Sequence, residues 1–197
     1  MRIDPNTQSS KALYKLMTSA VLPRPIALVL TRSQAHVVNV APFSYFNVVT
    51  SAPPRLSISI SKLKGARKDT ARNIVETGRF VVHVVTHDML EDVNKTSATL
   101  PPHESELTLT QFSVDTSTED DLPHIVDSPV RFVCKLEQTI DFPEAELFIG
   151  RVEAIDIAPH VFDATRGVID HKALEPVARL GGPYYARLGE IIALKRP

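Results

Sequence analysis

The chain has 197 residues, 43% of them apolar and 23% charged, with a formal net charge of −1. This is the composition of a globular protein with a sizeable core, and we predict one domain over residues 1–197. The near-neutral charge argues against nucleic acid as a partner, and no apolar run approaches the roughly 18 residues of a membrane span. The lone Cys134 and the lack of a signal-peptide pattern at the N-terminus predict a reducing, cytoplasmic location.

The first part of the chain predicts one helix and three strands. Residues 9–18 have apolar side chains at helical spacing behind Ser9 or Ser10, either of which can cap the helix. In residues 55–61 three aliphatic side chains alternate with three serines, the pattern of a half-buried strand. Strands are predicted at residues 26–31, 37–41 and 55–61.

The rest of the chain predicts short helices between further strands. Asp69 or Thr70 caps a helix that ends at Gly78, and Asp88 opens a second helix over residues 89–97. Gly150 lies inside a strand pattern and predicts a bulge or a close backbone approach. Strands are predicted at residues 80–85, 130–138, 147–157 and 190–195, helical turns at 161–164 and 171–174, and an exposed acidic turn at 116–123.

Strands outnumber helices in this pattern, and little of the chain alternates between the two. Fifteen prolines against seven glycines fit many short strands with stiff corners. We therefore predict a mainly β fold, a barrel with helices packed outside it, in preference to a parallel α/β sheet.

The stretch Asn39–Asn47 reads Asn-Val-Ala-Pro-Phe-Ser-Tyr-Phe-Asn and combines a strand with an internal proline. Pro42 lacks a backbone donor, so we predict that the strand ladder breaks there and leaves the main chain of residues 43–47 free. Aromatic faces, small polar groups and free amides suit a flat heteroaromatic ligand. The alternative is a proline-broken edge strand whose aromatic side chains lie in the core.

The run Arg67-Lys68-Asp69-Thr70 stands at the predicted start of a helix. Free amides, the helix dipole, two cationic side chains and a hydroxyl together attract an anion, and we predict a phosphate monoester. The alternative is a solvated basic turn with an ordinary helix cap.

Other residues with reactive side chains are scattered. The seven histidines share no helix face and there is no pair of cysteines, so no metal site is predicted, and His83 is interpreted as a core or ligand-wall residue. Glu104 and Glu106 are either an acid–base pair or a solvated loop face. The run Arg179–Tyr185 contains two glycines that permit a close approach to a ring system or a partner subunit, or simply form a tight turn.

These residues together resemble the flavin reductase-like family of FMN-binding split-barrel proteins, including flavoredoxin-type members. The similarity runs in order over about residues 13–197. It is carried by Pro23–Ala27, Asn39–Asn47, Pro53-Pro54, Lys68–Thr70 with Asn73, Glu76–Val82, Ser105-Glu106, Ser128-Pro129 with Cys134, the strand around Gly150, and Arg179–Gly182.

The resemblance implies a six-stranded Greek-key split β-barrel with flanking helices, assembled as a homodimer that binds FMN near the subunit interface. Under this resemblance, residues 41–46 line the flavin ring, four further residues hold the phosphate, and three support the ring, the ribityl chain or a turn. The ring group is Ala41, Pro42, Phe43, Ser44, Tyr45 and Phe46; the phosphate group is Ser61, Arg67, Lys68 and Thr70; the supporting group is Asn39, Asn73 and Arg179.

The chain departs from the family pattern at three places. The glycine turn that usually precedes the Asn-x-Ala-Pro segment is replaced by Ser33-Gln34-Ala35-His36. Leu28 stands where tryptophan is frequent, and His83 where asparagine is common. These changes fall on a hairpin tip and on the pocket wall.

The implied activity is hydride transfer from NADH or NADPH to FMN, followed by electron transfer to free flavin, a partner protein or a small acceptor. A second enzymatic interpretation is reduction of an organic substrate in a pocket walled by His83, Glu106 and Tyr184. The non-reductase alternatives are a flavin-binding electron carrier without its own nicotinamide site, and a β-barrel interaction module without enzymatic activity.

Overall fold

The structure is a computed structural model that describes residues 1–116 and 122–195. It is mainly β with flanking helices, as predicted. The predicted acidic turn at 116–123 falls mostly on residues 117–121, outside the described part of the chain. The strands are β1 (Arg24–Pro25), β2 (Ala27–Arg32), β3 (Val38–Phe43), β4 (Phe46–Ser51), β5 (Pro54–Ser61), β6 (Arg79–Val84), β7 (Val114–Asp115), β8 (His124–Ile125), β9 (Val130–Asp141), β10 (Ala145–Ile157), β11 (Phe162–Asp163), β12 (Val168–Ile169), β13 (Val177–Arg179) and β14 (Tyr185–Arg187).

The helices are short and lie between these strands. Alpha helices are α1 (Ser10–Ala20), α2 (Asp69–Thr77), α3 (Leu90–Lys95) and α4 (His171–Leu174), and 3-10 helices are Pro5–Thr7, Glu106–Leu109 and Pro159–Val161. In the described residues, no helix is both long enough and apolar enough to cross a membrane.

The main sheet has seven strands, in the order β3-β2-β6-β9-β10-β5-β4, and all its neighbouring pairs are antiparallel. Its two outermost strands, β3 and β4, are separated in sequence by only Ser44 and Tyr45. A flat sheet would hold these edges roughly 29 Å apart, at about 4.8 Å per strand. The link from Phe43 to Phe46 spans at most about 11 Å. The sheet must therefore be rolled, with its opening between β3 and β4.

Two apolar clusters form the core, one on each face of the rolled sheet. Strand β2 belongs to both, because Val29 packs in one cluster with Ile58 and Phe148, while Leu28 packs in the other. The second cluster is covered by α3 and by side chains such as Ile125. A strand buried on both faces needs a nearly continuous apolar sequence, which explains the run from Ala27 to Leu30.

Gly150 is a close-approach site, as predicted. A Cβ built on Gly150 would lie 2.4 Å from Cζ of Phe80 and 3.3 Å from Cβ of Cys134. The β9–β10 ladder also shifts register between Ile149 and Gly150. The missing side chain therefore lets the Phe80 ring fill the interior of the sheet.

Helix ends were predicted less well than the helices themselves. Ser9 caps α1 by accepting a hydrogen bond from the Ala12 amide at 3.2 Å, and Gly78 ends α2 with φ of 70°. The cap predicted for α2 is wrong, because Lys68 occupies that position and caps with no side-chain bond. The Asp88 cap is also wrong, since α3 begins at Leu90 behind Met89.

The main sheet has seven strands, where the resemblance implied a six-stranded barrel. Three predictions of local structure required correction. Strand β4 was not predicted, because its residues after Phe46 are exposed and give no alternating burial pattern. Residues 190–195 form no strand, and the last strand is β14. Residues 161–164 are the end of a 3-10 helix and strand β11, with no separate helical turn.

Candidate functional site

A cavity of about 410 Å³ lies between strand β3, the N-terminal end of α2 and the segment after α3. It falls within the range of small-molecule sites, about 300–1,000 Å³. One side is apolar, the other carries charged groups from the start of α2, and Glu106 contributes a carboxylate. The lining residues are Asn39, Ala41, Pro42, Phe43, Leu63, Arg67, Lys68, Asp69, Thr70, Arg72, Thr96, Ser97, Ala98, Thr99, Leu100, Pro102 and Glu106.

The apolar wall comes from strand β3, and its geometry corrects one prediction. The ladder does not break at Pro42, which pairs in register with Leu28, and β3 runs on to Phe43. Proline is tolerated here because β3 is an edge strand of the main sheet. The main chain of residues 43–47 is largely engaged: the Tyr45 carbonyl accepts from the Ser59 amide at 2.8 Å, and Phe46 pairs with Ile58.

A buried polar network lies beside this wall. The Nδ2 atom of Asn39 donates to both carboxylate oxygens of Glu106, each at 2.9 Å, and the Val40 amide donates to one of them at 3.1 Å. Asn39 and Glu106 are 6% and 5% exposed. The predicted solvated loop face at Glu106 is therefore wrong, while Glu104 is exposed and does not line the cavity.

Helix α2 joins the same network. The Thr70 hydroxyl donates to Oδ1 of Asn39 at 2.7 Å, and Asn73 Nδ2 donates to the Thr31 hydroxyl at 3.1 Å. Oδ1 of Asn73 is buried and has no hydrogen-bond partner among the described residues. Asn39 and Asn73 thus hold β2, β3 and α2 together, and the Thr70 proton, which we predicted would reach a phosphate, is used within the protein.

Burial raises the pKa of Glu106 above the usual value for a glutamate, and the nearby Asp69 charge adds to this. The hydrogen bonds from Val40 and Asn39 act in the opposite direction, because they stabilise the ionised form. Burial thus disfavours the charged form of Glu106, and the hydrogen bonds from Asn39 and Val40 favour it.

The charged end of the cavity contains three cations, two of which are paired. Arg67 forms a bidentate ion pair with Glu146, at 2.7–3.0 Å, and Glu146 is 2% exposed. Arg72 pairs with Asp69 on the same helix turn. Among the residues that the structure describes, the side-chain ammonium of Lys68 has no hydrogen-bond or ion-pair partner, although its carbonyl accepts from the Arg72 amide at 3.0 Å. It is therefore the cation available to an anionic ligand.

The turn between β3 and β4 is held from outside the cavity. The buried Arg24 donates to the carbonyls of Thr18, Val21 and Leu180 at 2.7–2.9 Å, and its Nε contacts the Ser44 hydroxyl at 3.3 Å. Ser44 and Tyr45 do not line the cavity. Arg24 thus fixes the strand link that was predicted to touch a flavin ring.

Several predicted site residues lie elsewhere. His83 is fully buried, with Nδ1 at 3.2 Å from the Leu28 carbonyl and Nε2 accepting from the Ile125 amide at 3.0 Å, so it is a core residue. Tyr184 is 68% exposed, so His83, Glu106 and Tyr184 do not form a common pocket wall. The remaining residues outside the cavity are Phe46, which packs on the core, Ser61, which is exposed opposite Ala145, Asn73, which donates to Thr31, and Arg179, which contacts Tyr185 and its own turn at Gly182.

Sequence reasoning missed the third wall of the cavity. Residues 96–102 follow α3, and only the first two of them were covered by a prediction, as the end of the helix over residues 89–97. The small polar run Thr96–Thr99 was the available signal, since such a run after a helix allows close approach of a ligand. No group of three or more metal-binding side chains occurs within residues 1–116 and 122–195.

The family model for the flavin reductase like domain matches residues 17–174. The chain belongs to the flavin reductase-like family. This agrees with the resemblance carried by the β3 segment and the start of α2.

Solved structures of this family superpose over nearly the whole chain. Nitrilotriacetate monooxygenase component B from Bacillus cereus is 39% identical with a TM-score of 0.94, covering 98% of each chain. The 2-nitrobenzoate 2-nitroreductase NbaA of Pseudomonas fluorescens is 31% identical, with a TM-score of 0.90 over 100% of this chain and 96% of its own. A split-barrel protein from Shewanella frigidimarina, assigned as a flavin reductase, shares the fold with a TM-score of 0.86, 20% identity and full coverage of both chains.

The cavity fits the donor set that FMN requires. An apolar wall at Ala41–Phe43 suits the ring, and Lys68 with the first amides of the nine-residue helix α2 suits the phosphate. Between them, Glu106 accepts from Asn39 and Val40, within the network that joins β3 to α2. The residues present therefore match the ligand at the ring and at the phosphate.

Proposed function

We propose that this chain binds FMN in the cavity between β3 and α2 and uses NADH or NADPH to reduce it. The observation that carries the proposal is the cavity itself, which places the unpaired Lys68 at one end and the Ala41–Phe43 wall at the other. FMN supplies the hydride and electron chemistry when bound. Electrons then pass to free flavin, to a partner protein or to a small acceptor.

The residues of the chain act by binding and positioning. Strand β3 presents an apolar surface that excludes water from one side of the ring. Lys68 and the start of α2 attract the anionic end, and the buried network fixes these two parts relative to each other. No acid–base pair is built into the cavity, since Glu106 is the one buried carboxylate among its described lining residues.

A titration followed by reduction tests this proposal. The purified chain is titrated with FMN and then mixed anaerobically with NADH or NADPH in a stopped-flow instrument, and the visible flavin absorbance is recorded. We expect quenching of FMN fluorescence on binding and bleaching after mixing. Binding without bleaching would leave the electron carrier without a nicotinamide site, and absence of binding would leave only the interaction module.

A second candidate is reduction of an organic substrate by bound flavin. It is favoured by the 31% identity to a protein named as a nitroreductase. Steady-state oxidation of NADH distinguishes the two activities. A reductase needs added free FMN for turnover, whereas a nitroreductase turns over with 2-nitrobenzoate and bound flavin alone.

A further inference from the structure

We propose that Glu106 is a positioning residue for the flavin site, acting through Asn39 to hold strand β3 against the first turn of α2. The proposal rests on the flavin-binding function given above. It assigns to Glu106 no contact with the reacting atoms; the carboxylate sets the distance between the two halves of the site.

The hydrogen bonds of this network all run in one direction, toward Glu106. The Thr70 hydroxyl donates to Asn39, and Asn39 in turn donates to Glu106, which also accepts from the Val40 amide. An ionised glutamate only accepts, so it can end such a chain of donors. A glutamine there would turn an NH₂ group toward donors of Asn39 or Val40 and leave buried groups unpaired.

The network lies between the two predicted binding regions, the apolar wall on β3 and the start of α2. Asn39 lies two residues before Ala41 of the apolar wall, and Thr70 lies two residues after Lys68 of the anion end. The 2.7 Å hydrogen bond from Thr70 to Asn39 directly links the side chains of helix α2 and strand β3. A change at Glu106 is transmitted by Asn39 and alters the spacing that a ligand spanning both regions must match.

The charged groups near Glu106 are not its hydrogen-bond partners. Across the cavity lie Lys68, the Arg67 that is paired with Glu146, and the Arg72–Asp69 pair. Helix α3, which packs against the Glu106–Leu109 helix, carries Glu91 and the Asp92–Lys95 pair. Among the described residues Glu106 forms no ion pair, so its partners are the neutral donors of Asn39 and Val40.

The experiment compares FMN with riboflavin, which lacks the phosphate. In Glu106→Gln we expect FMN affinity to fall about tenfold or more and riboflavin affinity to fall less than about threefold, because riboflavin does not span both regions. A general loss of structure would weaken both ligands alike and lower the thermal midpoint. The exposed Glu104→Gln is the matched control and should change neither affinity.

A double-mutant cycle with Thr70→Val tests the path. Because Thr70 and Glu106 lie at the two ends of one network, the double variant should lose no more FMN affinity than the weaker-binding single variant. Additive losses would overturn the proposal. If Glu106→Gln does not fold, Thr70→Val alone must still reduce the preference for FMN over riboflavin, and an unchanged preference overturns the proposal as well.

The controls also separate this inference from the proposed function. A wild-type chain that binds neither flavin contradicts the function. A wild-type chain that prefers FMN, with an unchanged preference in Glu106→Gln, contradicts only the role of Glu106. Equal wild-type affinities for FMN and riboflavin would show that the phosphate end is not engaged, which also overturns the role of Glu106.

Discussion

At the scale of single residues, burial decides which polar groups serve the fold and which are left for a ligand. Arg67 and Lys68 are neighbours in sequence and were predicted to act together. The structure gives Arg67 a buried carboxylate partner, Glu146, and gives Lys68 none among the described residues. A cation already engaged by a carboxylate would have to exchange that partner for a phosphate, so the neighbouring lysine is the better phosphate ligand.

We expect Lys68→Ala to weaken FMN binding by about 1.5–3 kcal/mol, the usual contribution of a hydrogen bond to a charged group. Riboflavin binding should change little, because it carries no phosphate. Fluorescence titrations with both ligands measure the effect, and the exposed Lys11→Ala on α1 is the control for loss of a positive charge. Equal losses for FMN and riboflavin would show that Lys68 does not bind the phosphate.

His83 shows the same principle for a histidine. Burial lowers the pKa of His83 to about 3 from an ordinary value of 6.5, and protonation would also remove the acceptor for the Ile125 amide. Since the folded pKa lies below the unfolded one, the contribution to stability is complete above about pH 6.5. It is lost as the pH falls toward about 3.

We expect the free energy of unfolding to fall by roughly 3–5 kcal/mol over that range because of His83. Urea unfolding at several pH values measures it. His83→Asn should flatten this part of the pH dependence whatever its effect at neutral pH, leaving the smaller contribution of His124, whose pKa is also lowered by burial. The exposed His103→Asn should leave the pH dependence unchanged; an unaltered slope in His83→Asn would contradict this account.

At the scale of the elements, the site depends on strands and a helix meeting through small residues at close range. Strand β10 can pack against β6 and β9 only because Gly150 has no side chain. Helix α2 ends at Gly78 because this glycine adopts a left-handed conformation, with φ of 70°. Both glycines were part of the prediction, Gly78 as the end of the helix and Gly150 as a bulge or close approach, and the structure shows that the group close to Gly150 is the Phe80 ring.

We expect Gly150→Ala to destabilise the fold by about 1–3 kcal/mol, since the new Cβ would overlap the Phe80 ring. Thermal or urea unfolding measures this. Gly78→Ala is a useful comparison, because its cost of about 1 kcal/mol comes from backbone strain at φ of 70° and not from a clash. A Phe80→Leu background should relieve the cost of Gly150→Ala and leave that of Gly78→Ala unchanged.

At the scale of the whole molecule, apolar side chains are exposed on the edge strand β4 and on helix α1. Val48 and Val49 on β4 are 65% and 46% exposed, and Tyr14 and Met17 on α1 are 62% and 58% exposed. Exposed aliphatic and aromatic side chains are typical of subunit interfaces. The homodimer implied by the family resemblance stays a prediction, and these side chains are candidates for its interface.

We expect the chain to elute as a dimer of the 21.8 kDa protomer in size-exclusion chromatography with light scattering. Val48→Glu should shift it toward monomer, because burying an unpaired charge in an interface is costly. The exposed Val168→Glu, on the small β11–β12 hairpin, is the control and should remain dimeric. A monomeric wild-type chain would contradict the predicted assembly.

The sequence by itself determined the class of fold, six of the seven strands of the main sheet and helix α2, and it pointed to the two sides of the candidate site. The fold elements follow from local rules: alternating or continuous apolar residues in strands, and a left-handed glycine at a helix end. The sequence did not determine that β4 forms a seventh strand, that Thr70 turns its proton to Asn39, or that residues 96–102 close the cavity. Those outcomes depend on contacts between residues far apart in the chain, such as Glu106 with Asn39 and Arg67 with Glu146, and only the folded sheet brings these partners within hydrogen-bond distance.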